Sequence, residues 1–118
     1  MSIHFTVQQV EKFTVVEFMS PSLMDPIELD EIGRELVNLV EEQDKRLIVL
    51  DFTRVQYLSS MAIGIVLNMH KKMAQLKGSQ LTLCGVGPKL MELLKITRLD
   101  RILRLKPSQR EAVQQGPK

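Results

Sequence analysis

The sequence predicts an α/β fold, a mixed central sheet with helices packed mainly on one side. Three observations carry that reading. Leu47-Ile48-Val49-Leu50 is a continuous apolar run of the kind that fills a central strand buried on both faces. On either side of it, apolar residues recur at helical spacing, through residues 29–40 and again through 62–76. The chain also opens with two apolar stretches joined by a short polar link, the pattern of an antiparallel hairpin.

Each element can be read in order. Ile3, Phe5, Val7 and then Val10 mark the first strand, and Phe13-Thr14-Val15-Val16-Glu17-Phe18 the second, with residues 9–12 between them. Ser20-Pro21-Ser22 breaks the pattern. Asp25-Pro26-Ile27-Glu28 then opens a helix: Asp25 supplies a cap, Pro26 loses nothing by lacking an N–H in the first turn, and Glu28 holds the third helical position. Leu29, Ile32, Leu36, Leu39 and Val40 carry it to about Glu42, with Asp30, Glu31, Glu35 and Glu41 on an acidic outer face. After the strand at 47–50 a long apolar helix runs from Ser60 to Leu76. Ala62, Val66, Met69, Met73 and Leu76 form its inner face, and Gly78 closes it. Leu81-Thr82-Leu83-Cys84 is the next strand, and Gly85-Val86-Gly87-Pro88 leads into a short helix over 89–94. Residues 102–105 read as a last short strand and 107–114 as a final amphipathic helix. A single domain over 1–118 is expected, with its core from about 3 to 113 and a polar tail at 114–118.

Composition narrows the function classes. The 118 residues are 44% hydrophobic with no Trp and one Tyr, which gives no stacking platform for single-stranded nucleic acid. One Cys excludes an internal disulfide and suits a reducing cytosol. No apolar run approaches the roughly 18 residues of a membrane span, and the N-terminus has no basic region followed by an apolar one. The expected location is the cytoplasm. A net charge of +2 hides a split: residues 1–59 carry five basic and eleven acidic side chains, and residues 60–118 eleven basic and three acidic. Such a split steers a charged protein partner, or reflects helices that differ in solubilising charge. Direct nucleic-acid binding is not expected, because the cations are spread over several elements.

The most informative stretch is residues 51–64, where a strand runs through a loop into two serines and then the long helix. Ser59 and Ser60 can act as caps for a helix whose first N–H groups lack acceptors. The same helix mouth also favours negative charge, so it suits a phosphorylated serine. Other candidates read as structure. Cys84, at a strand end, has no acid–base residue patterned with it and reads as core. His4, His70 and Cys84 form no spaced metal set. Asp51 reads as a brace for the loop over 53–58, and Gly85-Val86-Gly87 lacks the Gly-Lys-Ser/Thr ending of a phosphate loop.

At these residues the sequence resembles the STAS domain family, the domains of bacterial anti-sigma-factor antagonists and of sulfate-transporter tails. The resemblance spans nearly the whole chain. In the antagonists an Asp, an apolar spacer and a Val lead to a core of Asp-Ser-Ser-Gly-Leu-Gly. Here these positions hold Asp51, Val55 and Ser59-Ser60-Met61-Ala62-Ile63-Gly64, and Thr97-Arg98-Leu99-Asp100 looks like the family's late segment. The resemblance implies a STAS-like fold, and it places the phosphorylated serine at Ser60. It also implies partner switching: an anti-sigma factor that is a GHKL-type serine kinase binds the unmodified form and phosphorylates it, and a PP2C-type phosphatase reverses this. No catalysis and no cofactor are implied. Three positions depart from the pattern, with Ser59 for Asp, Met61 for the second Ser and Ala62 for the first Gly.

The expected protein-binding surface comprises Tyr57, Ser59, Ser60, Met61, Ile63, Gly64 and Ile65, with Ser22, Leu23 and Met24 as its rim. The rim enters because the loop before the first helix should reach the same end of the sheet as the serines. The alternative is a scaffolding or signalling module that binds through this surface without phosphorylation. A monomer is expected in dilute solution, with weak dimers through the apolar start of the Ser60 helix.

Overall fold

The computed structural model describes residues 4–114. Its first two strands, β1 (Phe5–Val10) and β2 (Phe13–Phe18), form an antiparallel hairpin with Val10 opposite Phe13. The link is therefore only Glu11 and Lys12, and Gln9 and Val10 belong to the strand; Ile3 lies outside the described residues. β2 is almost entirely buried, because next to it runs β4 (Leu47–Asp51), in parallel, and beyond that β6 (Gln80–Cys84) and β7 (Arg104–Lys106). The sheet order is β1-β2-β4-β6-β7, with one antiparallel pair at its edge and parallel pairs elsewhere.

Parallel neighbours need crossovers, and each crossover is a helix: α1 (Pro26–Glu41), α2 (Ser60–Ala74) and α3 (Pro88–Ile96). Their starts obey local chemistry. Asp25 caps α1, its carboxylate accepting from the Ile27 N–H at 3.0 Å, and Pro26 follows in the first turn. Gly87 is the N-cap of α3 without a side-chain bond, and Pro88 follows it in the first turn. The inner stripes Leu29/Ile32/Leu36/Leu39/Val40 of α1 and Ala62/Val66/Met69/Met73 of α2 are buried. They meet Val16, Phe18, Ile48, Leu50, Leu81 and Leu83 from one face of the sheet. The alternate residues Phe13, Val15, Val49 and Cys84 face the other way and are covered by α4 (Gln109–Gln114) through Ala112. Helices thus lie mainly on one side, with one short helix opposite.

Several boundaries differ from the sequence reading for identifiable reasons. α2 ends at Ala74, before Leu76, and Gly78 with φ +77° serves the turn that follows. Ile102 is not in a strand. The backbone turns at Arg98 (φ +63°), and a 3-10 turn, η1 (Leu99–Arg101), buries Leu99 and Leu103 before β7 starts at Arg104. α4 starts at Gln109, two residues later than expected, and residues 115–118 of the polar tail lie outside the described residues. Two strands had no counterpart in the sequence reading: β3 (Ser22–Leu23) and β5 (Tyr57–Leu58) pair in parallel as a separate two-residue ladder.

Candidate functional site

In a sheet of parallel crossovers the strand C-termini and the helix N-termini gather at one end, where sites form. The ladder of β3 and β5 stands at that end. The Pro21 carbonyl accepts from the N–H groups of Gln56 (2.7 Å) and Tyr57 (3.1 Å), and the Leu23 carbonyl accepts from Ser59 N–H at 3.2 Å. These bonds fasten the loop before α1 to the loop before α2, which brings Ser22 and Met24 beside the serine corner.

The two serines divide the available roles. Ser59 is the N-cap of α2: its backbone is extended, and its Oγ accepts from the Ala62 N–H at 3.2 Å. Ser60 is the first helical residue, exposed, and its hydroxyl makes no hydrogen bond among the described residues. Around it stand Met24 (50% exposed), Tyr57 (50%) and Met61 (40%). Lys89, at the start of α3, holds its Nζ 5.4 Å from the centre of the Tyr57 ring. A cleft of about 460 Å³ lies between Thr53, Gln56, Gly87 and Lys89.

The remaining residues of the expected surface are placed differently. Leu23 is buried beneath the ladder, at 4% exposure, and Ser22 is half-buried. Ile63 is half-buried with Leu90, Leu94 and Leu103 around it, so much of its side chain is used in the contact between α2 and α3. Ile65 is half-buried toward α1, where Gly33 leaves room for its side chain. The apolar excess of α2 is therefore used mostly in contacts with the two neighbouring helices. Gly64 and Met61 stay open, at the wall of a groove of about 600 Å³ between α1 and α2.

Behind the corner, Asp51 closes β4 and is buried. One of its oxygens accepts from the Thr53 N–H (2.9 Å) and from the Thr53 hydroxyl, and the other accepts from Gln109 Nε2 of α4 at 3.0 Å. The carboxylate thus braces the loop leading to Tyr57, as the sequence suggested, and it also ties α4 to the sheet. Cys84 lies beside it, fully buried, and burial together with the Asp51 charge pushes its thiol up to about 12. Such a thiol is no nucleophile at neutral pH. His70 sits at the far end of α2, ten residues or about 15 Å along the helix from Ser60. Among the described residues no group of three or more His, Cys, Asp or Glu side chains is placed to hold a metal, and no helix is long and apolar enough to cross a membrane.

Comparison with known proteins agrees with this architecture. The chain is 32% identical over 68 residues to a Bordetella bronchiseptica protein named as an anti-sigma factor antagonist, BtrV; the match spans 58% of this chain and 57% of that protein's length. An anti-sigma factor antagonist from Mycobacterium paratuberculosis superposes with a TM-score of 0.83 at 21% identity, over 96% of this chain and 92% of the other. The Bacillus cell fate determinant SpoIIAA, solved in its phosphorylated form, gives a TM-score of 0.72 at 15% identity, over 93% and 96%. The STAS domain profile matches residues 4–112, essentially the whole of the described fold, and the chain therefore belongs to the STAS domain family.

Proposed function

We propose that this STAS domain is an anti-sigma-factor antagonist that works by partner switching in the cytoplasm, with Ser60 as the phosphorylated residue. In this reading the unmodified domain binds an anti-sigma factor, a GHKL-type serine kinase, and a PP2C-type phosphatase regenerates the binding form. The carrying observation is the division between the serines. Ser59 takes the cap, so Ser60 is left exposed and unbonded in a patch of Met24, Tyr57 and Met61. The likeness in name of the Bordetella protein and the phosphorylated state of the Bacillus one support the same reading. The domain binds and regulates; it does not catalyse.

The physics of the switch is local. A phosphate on Ser60 adds about 1.5 to 2 negative charges at the first residue of α2. The helix dipole and the remaining first-turn N–H groups favour that charge, so the fold should stay intact. A partner that packs apolar groups or carboxylates over Met61 and Tyr57 would be repelled.

Incubation with the host's GHKL-type serine kinases and ATP should add one phosphate, mapped by mass spectrometry to Ser60 and absent in Ser60→Ala. Ser60→Asp should weaken binding to the same kinase by at least about tenfold. Unchanged binding by the Asp variant, with no phosphate ever found at Ser60, would sink the switch. One observation favours a second reading, a scaffolding or signalling module bound through this surface without modification. Position 59 carries a cap hydroxyl where the resemblance expects a carboxylate, so the corner lacks that charge.

A further inference from the structure

The sheet order converts the charge split of the sequence into two opposed edges. α1 flanks the β1–β2 side, where its Glu31 reaches His4 at the start of the chain's first strand, and it carries five carboxylates against one arginine. At the other edge, α3, η1 and β7 span residues 88–106, which carry six cationic and two acidic side chains. The four ion pairs among the described residues are His4–Glu31, Arg34–Asp30, Arg46–Asp44 and Lys72–Glu41. None involves the basic edge, so Lys95, Arg98, Arg101 and Arg104 have no carboxylate partner among the described residues.

Exposed apolar side chains sit on the same two edges. The three most exposed large ones among the described residues are Ile27 (73%), Ile96 (73%) and Ile102 (54%). Ile27 stands in the first turn of α1 between Asp25 and Glu28, while Ile96 and Ile102 stand among Lys95, Arg98 and Arg101. Beside Ile102 a cavity of about 220 Å³, lined by His70, Ser79 and Arg104 among others, has room for a side chain.

We propose that copies of this chain associate head to tail, the acidic α1 edge of one docking on the basic α3–η1–β7 edge of the next. Three of the α1 carboxylates, Asp30, Glu31 and Glu41, are already paired within the chain. A second copy therefore supplies counter-charge chiefly to the basic edge, with apolar tips on both sides. Two like edges would repel, which disfavours a two-fold dimer through either edge and makes the contact heterologous. Exposed pairs contribute little individually, so the association is weak and salt-sensitive. It does not call on the Ser60 hydroxyl and does not depend on phosphorylation.

Sedimentation velocity of the full chain tests this. At about 0.01 M salt, with a Debye length of roughly 30 Å, the sedimentation coefficient should rise with protein concentration; at about 1 M salt, where that length is roughly 3 Å, it should return to the monomer value. Lys95→Glu with Arg101→Glu should remove the rise, and so should Asp30→Lys with Glu31→Lys. Far-UV circular dichroism checks that each double variant is folded. Mixing the two variants should restore association, because each then offers the edge that the other needs; a structural defect would not be rescued in this way. A wild-type monomer at every concentration in low salt overturns the proposal, as does association that survives either charge reversal. A salt-insensitive dimer abolished by Met61→Asp would also overturn it, by moving self-association to the start of α2.

Discussion

Gly85 shows how much one residue can be asked to do. Its φ of +68° lies in the left-handed region, and a Cβ there would stand 2.2 Å from Thr53 Oγ1 and 2.9 Å from both Asp51 Oδ1 and Thr53 N. Those are the atoms of the brace behind the serine corner. Gly85→Ala should cost about 2–4 kcal/mol, combining backbone strain with damage to buried hydrogen bonds. Urea titration would show this as a lower midpoint with an unchanged slope, and an unshifted midpoint would mean that the brace yields freely. The sequence showed Gly85, Val86 and Gly87 leading into a short helix but not which glycine bore the constraint. It suggested Asp51 as a loop brace, yet its second partner, Gln109, lies 58 residues away and follows no local pattern. Likewise, residue type and spacing left adjacent Ser59 and Ser60 equivalent as caps, and only the family resemblance pointed to Ser60. Only the backbone geometry, extended at one and helical at the other, separates the capping serine from the free one.

At the level of elements, α2 carried a legible pattern with an ambiguous meaning. Met61, Ile63, Ile65 and Leu67 add apolar surface beyond the inner stripe near the start of the helix, and such surface can meet a partner or neighbouring helices. Ile63 faces α3 and Ile65 faces α1, leaving Met61 and Gly64 as the open positions. The two isoleucines are ordinary helix residues by sequence, and their direction depends on how α1 and α3 lie alongside. Met61→Asp should therefore change stability by no more than about 0.5 kcal/mol, whereas Ile63→Asp, placing a charge in an apolar contact, should lose about 3 kcal/mol or more. Chemical denaturation of both variants checks the ranking; equal losses would return Met61 to the core. The long elements were readable because their periodicity persists over many residues. The ladder of β3 and β5 was not, since two-residue strands have no period, although it is what fastens the candidate surface together.

For the whole molecule, the order β1-β2-β4-β6-β7 turns a division along the chain into a division in space. The charge imbalance was visible in the sequence, but its lateral separation required the sheet order. The two faces of the sheet are just as unequal. Three helices and η1 seal one face around a large cluster, while α4, six residues long, covers the other through Ala112 and the Gln109–Asp51 bond. Cys84 lies under that small cover. A short helix held by few contacts should open on its own, far more often than the domain unfolds as a whole. The native thiol then becomes a built-in clock for that fluctuation. Trapping of Cys84 by a thiol reagent under native conditions should proceed at a rate almost independent of low urea, since little surface is exposed in the opening. Gln109→Ala should accelerate trapping about tenfold, the equivalent of one lost hydrogen bond near 1.4 kcal/mol. A trapping rate that follows global unfolding in its urea dependence would instead show that the cover and the core come apart together.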